Sequence, residues 1–372
     1  MNIGIDARAA VWYRGTGIGT YTYQLIYNIN FFDKLNEYLL FLPDENITGI
    51  SPGENINIKL ISEDRRENFW EEVDIPNILN NKEIDTYLVP QNGIGLPKEK
   101  KCPFAITLHD VIPFRMPETV GPQYLNLFTK EVPNILDNCD SIITVSNFSK
   151  MDIHKEFSYP LDKIHVTHLA AEDIYFPRSK ELCMDYIKTH YGIENDFILY
   201  VGGFSPRKNI LGLIEAYSCL PNETREKLSL VILGKKGRSY YTYRDRAYEL
   251  GVKGQVIFPG YVPVNELPLF YNACKIFCYP SFYEGFGLPP LEAMACGAPV
   301  ISSSLTSMPE ILEDAAVYID PYNPKDIYEK LLKLIEDDKF RDEISFKGLL
   351  HSAKYNWKKT ALETINSLKT LS

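Results

Sequence analysis

A chain of 372 residues that is 45% hydrophobic and 24% charged is too long for one hydrophobic core and too apolar for a disordered polymer, so two globular domains of roughly 150 to 200 residues are expected. The formal net charge of -10 disfavours nucleic acid as a partner, because such binding depends on clustered lysine and arginine neutralising phosphates. The seven cysteines lack the paired spacing of zinc or redox sites and their odd number excludes a complete disulfide framework, so they are expected as reduced thiols, mostly in the core.

The chain opens on Met1 to Ile5, an apolar run that reads as a buried strand. No basic segment leads into an apolar one there, and no apolar run approaches the roughly 18 residues that a bilayer span needs, so a cytoplasmic location is expected. Gly15-Thr-Gly-Ile-Gly19 then precedes a helical pattern over Thr20 to Ile29. It resembles a dinucleotide fingerprint but breaks the G-x-G-x-x-G spacing, lies about ten residues beyond the strand, and lacks the acidic strand end that a ribose contact requires. A flexible loop near a phosphate is the expectation, with Gly17 and Gly19 offering close backbone approach.

Further apolar runs follow at Tyr38 to Leu42, Ile56 to Ile61, Thr86 to Val89, Phe104 to Leu108, Ser141 to Val145 and Lys163 to Thr167, alternating with helical patterns. After a less regular stretch around His168 to Asn195 the alternation restarts with Phe197 to Val201, Leu228 to Leu233, Gln255 to Phe258, Ile276 to Tyr279, Pro299 to Ile301 and Ala316 to Ile319. Such alternation implies an α/β fold with parallel sheets wrapped by helices, in two domains. In open parallel sheets ligands sit outside the carboxyl ends of strands, so the residues just after each run carry the chemistry.

Three of those positions stand out. His109-Asp110 ends the fifth run, where an imidazole points away from the core and could donate to a sugar hydroxyl or a main-chain oxygen. Tyr200-Val-Gly-Gly-Phe-Ser-Pro-Arg-Lys-Asn209 places Arg207 and Lys208 beside a glycine turn that includes Gly203, as a cationic clamp for phosphate oxygens. Glu284-Gly-Phe-Gly-Leu-Pro-Pro-Leu-Glu292 leads from a strand into the helical pattern Leu291 to Cys296. Gly285 and Gly287 allow close approach there, and the N–H groups around Gly287 and Leu288 form an anion site at a helix start. Glu292, read as lying in the first turn, would accept from ribose hydroxyls, and Glu284 stands at the other end of the loop, where a sugar would project.

On these residues the chain resembles, over essentially its whole length, a retaining glycosyltransferase of family four, the glycosyl transferases group 1, with the GT-B fold and an E-x7-E element at Glu284 and Glu292. The resemblance implies two Rossmann-like domains facing a central cleft: 1–170 on the acceptor side, joined by a terminal helix at 357–372, and 171–356 for the nucleotide sugar. It implies that Glu292 holds the ribose, that Glu284, Gly285, Phe286, Gly287 and Leu288 hold the donor sugar and diphosphate, and that Lys208 binds the diphosphate. His109 matches a histidine that contacts the donor sugar near the reacting carbon, so His109, Glu284 and Lys208 are the expected catalytic group. Tyr261 and Val262 match a segment that meets the base through its main chain, and Ser307-Met-Pro-Glu310 matches a loop of the same half. Family members often carry an arginine where this chain has Gly203, and Arg207 stands in as the second cation.

The activity so implied is α-retaining transfer of a hexose from a nucleotide diphosphate sugar, with mannose from GDP-mannose the first candidate. The acceptor is a glycan or lipid-linked glycan of a surface polysaccharide, seated near Asn68 to Asp74 and Pro113 to Gln123. A lipid-linked acceptor would bring peripheral contact with the inner face of the plasma membrane. No cofactor and no metal are expected, since the sequence offers cations at the diphosphate and no Asp-x-Asp pair. Another GT-B enzyme, such as a nucleotide sugar epimerase, and a non-catalytic nucleotide-sugar-binding partner are the rival readings.

Overall fold

The computed structural model describes residues 1–43, 47, 49–60, 84–237 and 239–371. They form two compact units, Met1–Leu169 with Asn356–Ser372, and Ala170–Tyr355.

The first unit is built on β1 (Asn2–Asp6), β2 (Glu37–Leu42), β3 (Ile56–Leu60), β4 (Thr86–Val89), β5 (Phe104–Thr107), β6 (Ser141–Thr144) and β7 (Ile164–Val166). These strands lie in the order β3-β2-β1-β4-β5-β6-β7, and every pairing is parallel. Parallel neighbours need crossover connections, and helices supply them between β1 and β2 (Gly17–Phe32), between β5 and β6 (Pro122–Asn138) and between β6 and β7 (Asn147–Phe157). The central strands β4, β5 and β6 are therefore buried along their whole length, whereas β3, at the edge, has only Ile56 fully covered. Phe41, Tyr87, Phe104, Phe128, Ile142 and Ile164 belong to the core of this unit. The last helix, Trp357–Lys369, returns to it: Trp357, Ala361, Ile365 and Leu368 are buried, and the Thr360 hydroxyl donates to the His168 carbonyl.

The second unit carries β8 (Asp196–Val201), β9 (Leu228–Leu233), β10 (Val256–Gly260), β11 (Ile276–Tyr279), β12 (Val300–Ser303) and β13 (Val317–Ile319). Their order, β10-β9-β8-β11-β12-β13, is that of a doubly wound dinucleotide-binding sheet. Each strand expected from an apolar run is present, with Thr86–Val89, Leu228–Leu233 and Ile276–Tyr279 matching at both ends, the other ends displaced by at most two residues, and Ile61 outside the described residues. Within the irregular stretch His168 to Asn195 a helix forms at Lys180–Tyr191, started by the Ser179 side chain accepting from the Leu182 amide and ended by Gly192 in the left-handed region. The cysteines are free thiols, all buried apart from the half-buried Cys102 and the exposed Cys219.

Candidate functional site

In the second unit β8 and β11 are neighbours whose following connections run to opposite sides of the sheet, which opens a crevice at their carboxyl ends. Beyond β8 the chain turns through Gly202 and Gly203 into a 3-10 turn, Pro206–Lys208, and then the helix Ile210–Ser218. Asn209 fixes this junction: it sits in the left-handed region, accepts from the Gly212 amide at 3.2 Å, and donates to the Pro321 carbonyl at 2.6 Å. Lys208 is thereby directed at the end of β11. Its Nζ donates to Glu284 Oε1 at 2.5 Å and to the Tyr279 hydroxyl at 2.6 Å. Arg207 Nη1 lies 3.0 Å from Glu284 Oε2 and donates to the Tyr283 carbonyl at 2.9 Å.

Glu284 is only 6% exposed. Burial alone would raise its pKa, but the Arg207 and Lys208 charges and the Lys208 hydrogen bond outweigh that and bring it down to about 2. The cations predicted as a phosphate clamp are thus brought together with the carboxylate predicted at the other end of the loop. Tyr279, which completes the cluster, escaped the sequence reading because a tyrosine closing a strand is indistinguishable from a core aromatic. Its ring stacks on that of Tyr200, with centroids 6.0 Å apart, and the Tyr200 hydroxyl donates to the Gly203 carbonyl.

The loop after Glu284 runs into the helix Leu288–Ala295. Gly287 precedes the helix with φ 99°, a left-handed backbone that favours glycine, and a Cβ there would stand 2.3 Å from Met308 Cε, the far end of a flexible side chain that would have to shift. No side chain caps this helix start, and Pro289 and Pro290 carry no N–H, which leaves Leu288 and the loop before it to present donors. The loop is latched from the Ser307-Met-Pro-Glu310 segment. The Ser307 hydroxyl lies 2.9 Å from the Glu284 carbonyl and 3.2 Å from that of Phe286, and Thr306 Oγ1 accepts from the Glu284 amide at 3.1 Å. Ser307 carries no signal beyond its place in that segment, and Thr306, which precedes it, carries none.

Glu292 requires a correction. The helix begins at Leu288 with the two prolines in its first turn, so Glu292 is its fifth residue and lies in the second turn. Its Oε2 accepts from the Tyr271 hydroxyl at 2.9 Å. Burial raises its pKa, the Tyr271 hydrogen bond opposes this, the nearby Glu172 charge adds to it, and the carboxyl reaches about 7. Along the same sheet edge β10 ends at Gly260 with φ 100°, followed by Tyr261, 65% exposed, and Val262, which is buried. Gly203 is exposed with open space where a side chain would stand.

In the first unit His109 follows β5. Its ring packs edge-on against Tyr21, with centroids 4.9 Å apart, and its backbone amide donates to Asn92 Oδ1 at 3.0 Å. Nε2 lies 3.1 Å from the Pro90 carbonyl, an acceptor only, so Nε2 carries the proton. Burial lowers its pKa, the Pro90 hydrogen bond offsets part of this, and the imidazole titrates at about 4. Neutral His109 therefore donates to a main-chain oxygen, while Nδ1 is left as an acceptor. Beside it the carboxyl end of β1 carries a buried ion pair, Arg8 with Asp6, to which Gln91 also donates.

The expected flexible loop Gly15 to Gly19 is corrected by the structure: Gly17 and Gly19 lie in the first turn of the helix Gly17–Phe32. Thr16 provides the reason, since its side chain accepts from the Gly19 amide at 3.2 Å and starts the helix early. A Cβ on Gly19 would stand 1.8 Å from the Tyr13 carbonyl oxygen, so packing demands that glycine, whereas Gly17 faces open space. Of the expected acceptor segments, Asn68 to Asp74 lies outside the described residues. Pro113 to Gln123 is a succession of short helical turns leading into the helix Pro122–Asn138, with Arg115 tied to Asp152 and Glu156. Among the described residues, no three His, Cys, Asp or Glu side chains group as a metal site, and no helix is long and apolar enough to cross a membrane.

Comparison with known proteins accords with this geometry. The family model "Glycosyl transferases group 1" matches residues 188–349. "O-antigen chain mannosyltransferase B" of Escherichia coli is 38% identical over 270 residues, covering 71% of this chain and 70% of that protein. "Serotype-specific mannosyltransferase WbdA" of Escherichia coli is 30% identical over 293 residues, 77% of this chain but 35% of that longer protein. Among solved structures, sucrose-phosphate synthase from Thermosynechococcus elongatus superposes with a TM-score of 0.79 at 18% identity, covering 100% of this chain and 99% of that one.

Proposed function

The chain belongs to the glycosyl transferases group 1 family and is a glycosyltransferase, and from that premise we propose that it moves mannose, with retention at the anomeric carbon, from GDP-mannose to a glycan or lipid-linked glycan of a surface polysaccharide. The sugar and the polysaccharide are carried over from relatives named as O-antigen chain and serotype-specific mannosyltransferases. The observation that carries the chemistry is the pairing of Lys208 and Arg207 with Glu284 at the switch point of the second sheet, beside an uncapped helix start. Charge develops on the diphosphate as the bond to the sugar loosens, and two cations with backbone donors favour that charge over the ground state.

In this reading Arg207, Lys208 and Leu288 hold the diphosphate, and Glu292 accepts from the ribose. Tyr261 and Val262 meet the base, while Gly203, Gly285, Phe286 and Gly287 let the donor approach the backbone. Glu284 takes a hydroxyl of the sugar, and His109 of the first unit offers its Nδ1 as an acceptor for a substrate hydroxyl. Because the positive charge is supplied by side chains, the reaction proceeds without a metal. A lipid-linked acceptor would bring the protein against the inner face of the plasma membrane.

Thermal shift against a panel of nucleotide sugars, followed by product analysis with an acceptor glycan, tests the proposal. Stabilisation by GDP-mannose and nucleotide release that depends on acceptor are expected. An isomerised donor without acceptor would identify an epimerase, stabilisation without turnover a binding partner, and preference for another nucleotide sugar would displace mannose.

A further inference from the structure

We propose that the Glu284 side chain stands where the donor diphosphate binds and must release Arg207 or Lys208 when the donor arrives. The inference rests on the reading that the second unit binds a nucleoside diphosphate sugar. One carboxylate oxygen goes to each cation, Oε1 to Lys208 at 2.5 Å and Oε2 to Arg207 at 3.0 Å, which is how two oxygens of a phosphate would be held. A diphosphate brought onto these cations with Glu284 still in place would set its oxygens against a buried carboxylate, and like charges at such range in a poorly solvated site repel strongly. One of the anions has to yield.

The backbone of Glu284 cannot, since its amide and carbonyl are both held by Thr306 and Ser307. The side chain is the mobile part. Lys208 does not lose its bearing when the carboxylate leaves, because the Tyr279 hydroxyl at 2.6 Å remains as its second partner. Released from the cations, Glu284 becomes available to accept from donor hydroxyls. The exchange also makes the site selective: a bare phosphate must compete with a carboxylate that is already in position, whereas a nucleotide sugar adds its base, ribose and hexose contacts.

The test measures pyrophosphate and GDP binding by titration calorimetry to the full chain and to Glu284→Gln, with Glu284→Asp as a second, charge-retaining variant and circular dichroism to confirm the fold. Hydrogen bonds to charged groups are worth about a tenfold to hundredfold change in affinity, so glutamine should tighten pyrophosphate by that factor and aspartate by less. If the gain comes from freeing Lys208, it should shrink in a Lys208→Gln background, as a double-mutant cycle would read. Pyrophosphate affinity that is unchanged or weaker in Glu284→Gln overturns the exchange. Failure of the wild-type chain to bind any nucleoside diphosphate, with pyrophosphate still tightened by the substitution, would instead overturn the donor reading and leave the exchange standing.

Discussion

Lys208 is buried with its charge, and that is tolerable only because Glu284 and Tyr279 receive it. Its replacement by alanine removes one of the two charges facing the leaving diphosphate, so kcat should fall by an amount worth about 2 to 4 kcal/mol while affinity for the bare nucleoside changes little. Steady-state kinetics with nucleoside competition reads both, and a wild-type kcat would take Lys208 out of the mechanism. The same charge argument predicts that turnover survives EDTA, and loss of activity restored by added Mg²⁺ or Mn²⁺ would refute it. Glu292 offers a pH signature. Its carboxyl titrates at about 7 in the fold against an ordinary value of 4.5, so folding takes up a proton between these values and the stability owed to this group falls as pH rises through them. Ribose hydroxyls donate to the ionised form, and donor affinity should therefore climb from about pH 6 to about pH 8, one unit either side of that titration. His109 titrates at about 4, outside this window. Glu292→Gln should flatten the profile measured by calorimetry, and a profile that keeps its slope would assign the titration elsewhere.

At the scale of elements, strands were legible because sheets covered on both faces demand uninterrupted apolar runs, as in Leu228–Leu233, where all six residues are buried. Helix starts were less so. The helix start near Gly287 and Leu288 is legible from its glycines and prolines, yet the sequence alone places Glu292 one turn too early, and Gly15 to Gly19 reads as a loop unless Thr16 is given a capping role. The individual site residues could be picked from strand ends, yet their pairing could not: Lys208 and Glu284 are 76 positions apart, and only the adjacency of β8 and β11 joins them. The sequence pointed to cations for a ligand, and the fold shows them engaged by a carboxylate first. The Glu284 to Leu288 loop owes its shape to Gly287, whose left-handed backbone disfavours a side chain. Gly287→Ala should cost about 1 to 2 kcal/mol, the left-handed penalty, with the flexible end of Met308 shifting to make room. Thermal melting checks the stability, and KM for the donor should rise because the backbone donors of Leu288 are displaced. An alanine variant with unchanged melting and KM would mean that Met308 and the loop yield freely.

At the scale of the whole chain, the first unit is assembled from two separated stretches, with the second unit inserted between Leu169 and Asn356. The returning segment is part of the first unit's interior. Trp357, Ala361, Ile365 and Leu368 are buried, the Trp357 ring lies 6.3 Å from that of Tyr21, and Thr360 binds the His168 carbonyl at 2.5 Å. Burial of each large apolar side chain is worth about 1.5 to 3 kcal/mol, so losing Trp357, Ile365 and Leu368 together approaches the whole stability of a typical domain, about 5 to 15 kcal/mol. The second unit draws no residue from that segment. Truncation after Tyr355 should therefore unfold the first unit and leave the second able to bind nucleotide. Scanning calorimetry of the full chain and of the truncated one, each with and without GDP, reads this directly: the transition that GDP raises should persist on truncation, and the other should disappear. Retention of both transitions would show that the terminal helix is an accessory to the first unit, and loss of the nucleotide-responsive one would show that the second unit depends on the first for its fold.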